Sequence, residues 1–445
     1  MTPVDVAELV DRIWARDPTV WTGTDEASWL GWLDEPGRMI ERLGELDSLE
    51  RDFDDIVLLG MGGSSLAPEV LRRTFAVERF HVLDTTHPAA IRALEAELDA
   101  ERTLFVAASK SGTTLETRCQ LDYFLDRGGT FAAITDPGTE LEQLARERDF
   151  AWVVAGEPTV GGRYSALSPF GMVPAALMDL DLRTLLERAT AMAEWCRLAD
   201  DNPGAELGVQ LGDGWTEGRE KVCFEDTPGG IALWIEQLLA ESTGKEGKGL
   251  VPAPGESPEG PDRHAARVRL DDPYDIGAEF FRWEFATAVA GSMLGINPFN
   301  QPDVQAAKDR TTAIIERGDF ELEPESSVEE LLAQAGEGDY VAILAFVDPA
   351  RAGELEPLVE RARRETGCVV TEGLGPRYLH STGQLHKGGP NSVLALQVVD
   401  DLGQELKIPR RKFGFRRLIA AQAAGDLEAL KERGRRVARV RLDDV

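Results

Sequence analysis

The stretch VLLGMGGSSLAPEVL, residues 57–71, decides how the chain folds. An apolar run ends in Gly60-Met61-Gly62-Gly63, two serines follow, and a helix-forming segment comes next. Strand, glycine turn and helix together make an anion cradle. The turn lets backbone come close, and the helix start offers free N–H groups at the positive end of its dipole. A dinucleotide fingerprint needs a sixth glycine, where this chain has Ser65, although Asp84 ends the next apolar run near the place of the ribose acid. A P-loop needs a closing Gly-Lys-Ser/Thr, which is missing. A glycine turn with a purely structural purpose is the plain alternative.

Working outward, the first half alternates. DIVLLG, FHVLD, TLFVAAS, TFAAITD and AWVVAG are apolar runs without polar alternation, so both faces of each strand should be buried. Helical stretches fall between them at 66–75, 88–98, 114–125 and 140–148. This βαβα order implies a parallel sheet with right-handed crossovers and ligands at the strand carboxyl ends. A helix over 182–199 leads to the turn DDNPG, a boundary. The second half continues with strand KVCFED, a helix over 231–241 and a Gly/Pro-rich loop. Strand ARVRL, helices over 278–294 and 301–316, and strand DYVAILAFVD follow. A helix over 354–366, strands CVVTEG and SVLALQVVD, a tail helix and strand RVARVRL close the chain. Two α/β domains are expected, 1–198 and 199–445, with a site in the cleft between them.

A second loop repeats the first one's chemistry. After TLFVAA come Ser109, Lys110, Ser111, Gly112, Thr113 and Thr114, then a helix. Hydroxyls and a helix N-terminus again suit an anion. Two such loops from neighbouring strands form a cup for one phosphate, which a dinucleotide enzyme does not need. The plain alternative is that the hydroxyls only cap helices.

The formal charge of −31 over 445 residues works against nucleic acid and anionic membranes as partners. The one basic cluster, residues 407–442, carries Phe413, Phe415, Leu418 and Ile419 and reads as an amphipathic helix and strand. No run of 18 apolar residues suggests a membrane span. The acidic, amphipathic start MTPVDVAELVDRIWARD is read as mature and cytoplasmic. Cys119, Cys196, Cys223 and Cys368 are spread without metal-type spacing and read as buried thiols, so no metal is expected.

GMGGSSLAP and SKSGTTLET resemble the two phosphate loops of sugar isomerase (SIS) domains. VGGRYSALSPFG (160–171), AESTGKEGKG (240–249) and NPFNQPDVQAAK (297–308) resemble further signatures of the glucose-6-phosphate isomerase family. Residues 375–391 and 420–437 look like the isomerase half of bacterial transaldolase–isomerase fusion proteins, here as a stand-alone version. The resemblance implies two SIS domains, each a flavodoxin-like three-layer α/β/α sandwich. It also implies a reversible glucose 6-phosphate to fructose 6-phosphate isomerase of glycolysis and gluconeogenesis, with a sugar-phosphate substrate and no cofactor. Dual action on mannose 6-phosphate and a non-catalytic sugar-phosphate sensor are the alternatives. A homodimer, frequent in the family, stays open.

By that resemblance Gly63, Ser64, Ser109, Lys110, Ser111 and Thr114 hold the phosphate, Lys110 mainly through its backbone N–H. Glu241 is the base. It sits three residues past Leu238, on the edge of the apolar stripe 231, 234, 235, 238 and 239, where partial burial would raise its pKa. A solvated glutamate at a helix end is the alternative. Gly162 lets backbone approach, and Arg163 sits by the enediolate, unless it is an ordinary loop arginine. Lys308 assists ring opening and Gln301 lines the substrate. The ring-opening histidine is sought in YLHSTGQLHKGG, where His386 is favoured over His380 for its polar, glycine-rich setting. His264 reads as structural.

Overall fold

A computed structural model describes residues 5–224, 226–300, 313–316 and 322–445. Among these, the strands form three parallel sheets with helices around them, an α/β fold. The first sheet holds β1 (Asp55–Gly60), β2 (Phe80–Leu83), β3 (Thr103–Ala108), β4 (Thr130–Thr135) and β5 (Val153–Ala155). Its order is β2-β1-β3-β4-β5, the doubly wound order whose switch point lies between β1 and β3. Gly60 pairs with Ala108, so the loops after these two strands leave the sheet side by side.

Both faces of this sheet are buried, which is why its strands lack alternation. Ile56, Leu58, Leu104 and Val106 face one core, shared with helix Ile276–Leu294. Val57, Leu59, Phe105 and Ala107 face the other, shared with Phe415, Leu418 and Ala421 of helix Phe415–Glu432. The basic tail is thus the amphipathic helix and strand its sequence suggests, its helix packed on the first sheet through Phe415, Leu418 and Ala421 and on the core of Tyr340, Ala342 and Val393 through Ile419, Ala423 and Leu430.

The second half distributes its strands over two sheets. One orders β7 (Val251–Pro254), β6 (Lys221–Phe224) and β8 (Arg263–Ala265). The other orders β10 (Val369–Leu374), β9 (Tyr340–Phe346), β11 (Val393–Val399) and β12 (Arg436–Arg441). β7 falls inside the stretch expected to be a loop. Its prolines are tolerated because it is an edge strand. The strand expected at ARVRL ends instead at Ala265. Side chains of helix Ile276–Leu294 capture the backbone beyond: Arg282 donates to Arg267 O at 2.8 Å, and Arg269 N donates to Glu279 Oε2 at 3.1 Å.

DDNPG links two helices, Leu182–Trp195 and Pro203–Thr216, with Asn202 Oδ1 capping the second. The helix expected over 301–316 lies outside the described residues except for 313–316. The four cysteines are free and buried. No described helix is long and apolar enough to cross a membrane.

Candidate active site at the ends of the first sheet

The glycine loop after β1 is a packing hub. Gly62 has φ +55°, and a Cβ there would lie 2.6 Å from His380 O and 3.1 Å from Gln237 Nε2. A Cβ on Gly63 would lie 2.1 Å from Gly162 O. Only glycine lets this loop touch both the turn before Arg163 and the segment carrying His380. Ser64 is buried at the end of a 3-10 turn, and Ser65 Oγ donates to Gly62 O at 3.1 Å.

The second loop stands beside it at the end of β3. Ser109 Oγ and Thr114 Oγ1 lie 2.9 Å apart, and Ser111 Oγ and Thr113 Oγ1 3.1 Å apart. Ser111 is exposed and Gly112 turns with φ +68°. The Lys110 side chain points away, to Asp136 Oδ2 at 2.5 Å and Glu157 O at 2.9 Å. Its backbone N–H is what it can offer an anion here.

Arg163 and Glu241 meet in the interior. The Arg163 side chain is fully buried, with Nη1 3.4 Å from Glu241 Oε1. Its Nε donates to Ser242 Oγ at 2.7 Å, and its Nη2 donates to Pro298 O and, at 3.2 Å, to Asn300 O. Among the described residues Nη1 has no hydrogen-bond partner. Glu241 lies in helix Ala232–Thr243 and is 6% exposed. Burial pushes its pKa above the ordinary 4.5, against the Arg163 charge, the Gln237 hydrogen bond and the charges of Lys245 and His380.

Gln237, one turn before Glu241, was not singled out by sequence. Its Nε2 donates to Glu241 Oε2 at 3.0 Å and to His380 O at 2.8 Å. Its i to i+4 spacing from Glu241 is the one signal that could have found it.

The two candidate histidines differ in setting. His380 Nε2 is 2.9 Å from Glu116 Oε1, and Gln422 Nε2 donates to the same oxygen at 2.6 Å. Burial would push the Glu116 pKa up, but the His380 charge and these hydrogen bonds hold it below its ordinary value. His380 thus joins the helix that follows the second loop, through Glu116, to Gln237 and Glu241. His386, the histidine favoured by sequence, is not brought to this group. Its Nδ1 is 3.0 Å from Tyr340 OH, it lies against the Tyr378 ring, and burial pushes its pKa down to about 3. Lys308 and Gln301 lie outside the described residues.

Asp84 is bound by the Arg377 guanidinium, with Nε at 2.6 Å and Nη2 at 2.8 Å. That ties the turn Arg377–His380 to the end of β2. His87 and His264 bond Asp400 and Arg219 O and serve the framework. A separate open groove of about 630 Å³ runs beside helix Pro203–Thr216, lined by Asp200, Asp201, Asp213 and Glu217. Its carboxylates would repel a phosphorylated ligand, so the cup between β1 and β3 is the candidate anion site.

The phosphoglucose isomerase family model matches residues 48–247, which include both loops, Arg163 and Glu241. A glucose-6-phosphate isomerase of Cyanothece sp. is 36% identical over 216 residues, 44% of this chain and 40% of that protein. One of Synechococcus sp. is 30% identical over 343 residues, 70% of this chain and 60% of that protein. The chain thus spans 40–60% of the length of these two relatives. The solved structure of a glucose-6-phosphate isomerase from Chlamydia trachomatis matches with TM-score 0.52 and 19% identity, over 69% of this chain and 78% of that one.

Proposed function

We propose that the chain, which matches the phosphoglucose isomerase family model over residues 48–247, is a member of that family and interconverts glucose 6-phosphate and fructose 6-phosphate through an enediolate. One observation supports the reading: a buried carboxylate, Glu241, has Oε1 3.4 Å from Nη1 of the buried Arg163 guanidinium. A base poised by burial beside a fixed positive charge suits moving a proton between carbons and holding the enediolate that forms.

The other groups divide the remaining work. The loops at Gly63–Ser64 and Ser109–Thr114 hold the phosphate through backbone N–H groups and hydroxyls, which places C1 and C2 near Glu241. Glu241 takes the proton from one carbon and returns it to the other. The Arg163 guanidinium offsets the negative charge on the oxygens. His380 opens the sugar ring in place of His386. Its imidazole is oriented by Glu116, whereas His386 is buried and neutral against Tyr340. Lys308 and Gln301 keep the roles given by family resemblance, at the ring oxygen and along the substrate.

The test is turnover by the purified chain. Glucose 6-phosphate and fructose 6-phosphate should interconvert, and mannose 6-phosphate, assayed alongside, should not be consumed. Binding of either sugar phosphate without turnover sinks the proposal in favour of a sensor. Consumption of mannose 6-phosphate widens the substrate range.

A further inference from the structure

Lys245 follows directly on the helix that carries Glu241 and is 2% exposed. Its Nζ donates to Asn297 O at 2.8 Å, Asn300 O at 2.9 Å and Asn300 Oδ1 at 3.0 Å. The Asn300 carbonyl oxygen also accepts from Arg163 Nη2 at 3.2 Å. Two buried cations therefore share one acceptor. The segment they grip is braced from behind. Asn297 Nδ2 donates to Asp25 Oδ1 at 2.7 Å, and Asn297 Oδ1 accepts from Phe299 N at 3.0 Å and Asn300 N at 3.2 Å.

A neutral donor could tie these carbonyls together at lower cost, since burying a charge sacrifices its hydration. The cation is retained where negative charge needs balancing. Glu241 supplies such charge when ionised, and an enediolate adds more.

We propose that Lys245 is a positioning residue for the isomerase reaction, fixing the Arg163 guanidinium through the shared Asn300 carbonyl and keeping the Glu241 side of the site positive. The inference rests on the isomerase reading above. The Lys245 charge is among those that oppose burial in setting the Glu241 pKa. Removing it should make Glu241 harder to ionise. Losing the bond to Asn300 should loosen Arg163 at the moment negative charge develops.

The experiment compares wild type, Lys245→Gln and Lys245→Arg. Glutamine keeps a donor for the carbonyls but loses the charge, and arginine keeps the charge. Lys245→Gln should lower kcat about ten- to hundredfold with KM within about threefold, since the loss falls on the transition state. The acid limb of its kcat/KM profile should rise by about half a pH unit to one unit. Lys245→Arg should recover part of kcat and keep the wild-type limb. Lys245→Gln within about twofold of wild type and with an unmoved limb overturns the proposal. So does an arginine variant as impaired as the glutamine one. If Lys245→Gln yields no folded protein, a displaced limb in Lys245→Arg overturns it. Wild-type chain without turnover would instead defeat the isomerase reading. The Glu241 carboxyl band, isolated by infrared difference against Glu241→Gln, then decides: its titration midpoint must be higher in Lys245→Gln than in wild type.

Discussion

His380 Nε2 lies 2.9 Å from Glu116 Oε1, while the His380 carbonyl accepts the amide of Gln237, the same amide that holds Glu241. One residue thus links the helix that follows the second loop to the proposed base. Its side chain is oriented by a carboxylate and its backbone supports the residue beside Glu241. A ring-opening imidazole needs this kind of fixed orientation. We expect His380→Asn to lower kcat at least about a hundredfold on the ring-closed sugar, the typical worth of a positioned acid–base group. His386→Leu removes the hydrogen bond with Tyr340 and should lower Tm while kcat stays within about twofold. Steady-state kinetics and thermal melts on both variants check the assignment. The reverse pattern would return the role to His386.

Glu241 must be ionised to take a proton, and burial holds its pKa above the ordinary 4.5. The sign follows directly. As pH falls through that raised value the base is protonated first, so kcat/KM should drop on the acid side at a pH above 4.5. Glu241→Gln should abolish this limb and lower kcat by about a thousandfold, with sugar-phosphate affinity largely kept because the two loops proposed to hold the phosphate are untouched. A pH–rate profile of wild type, with calorimetric binding to the variant, tests both parts. An acid limb at or below pH 4.5 in wild type would assign it to another group.

The loops that make up the candidate site were legible where chemistry is local. β1 and β3 read as continuous apolar runs because both their faces are buried, and the glycine–serine and hydroxyl-rich loops mark their ends. The supporting residues were not legible, because their partners are remote in sequence. Gln237 reaches His380 across 143 residues, His380 reaches Glu116 across 264, and Arg377 reaches Asp84 across 293. An ordinary polar residue shows no pattern until folding brings its partner. For the same reason the choice between His380 and His386 turned on their neighbours, which the sequence does not display. Helix Pro169–Leu177 was missed for a different reason: it is buried all round and has Pro174 in its interior, so it shows no amphipathic period.

Gly63 offers a geometric test of how the first loop is coupled to Arg163. A Cβ there would lie 2.1 Å from Gly162 O, far inside any tolerable contact, and the atom it meets is backbone. Either the first loop or the Arg163 turn must move. Gly63→Ala should therefore raise KM and lower kcat together, with kcat/KM down at least about a hundredfold, because small misplacements at a reacting centre are costly. Gly161→Ala, where a Cβ meets nothing within 4 Å, is the control and should remain near wild type. Equal activity in the two variants would show that the loops are not coupled in this way.

Glu284, close enough to Tyr164 to act on it electrostatically, and Glu35 form a buried acidic pair outside the proposed reaction. Glu284 is fully buried with neither carboxylate oxygen hydrogen-bonded among the described residues. Glu35 is buried with Oε1 held by Arg38. Burial, together with the Glu35 charge, raises the Glu284 pKa well above 4.5; burial raises that of Glu35 to about 7, against the Arg38 hydrogen bond. A carboxyl more basic folded than unfolded binds more protons in the folded state, so stability falls as pH rises from the unfolded value through the folded one. For Glu35, a rise from 4.5 to about 7 corresponds to roughly 3 kcal/mol lost across that window. Glu284→Gln removes the more deeply buried charge at almost no change of shape. Its Tm should exceed wild type at pH 8 and match it at pH 4.5, a contrast that a simple packing change would not produce. Thermal melts at the two pH values decide it, and a uniform gain or loss at both would rule out titration of this pair as the cause.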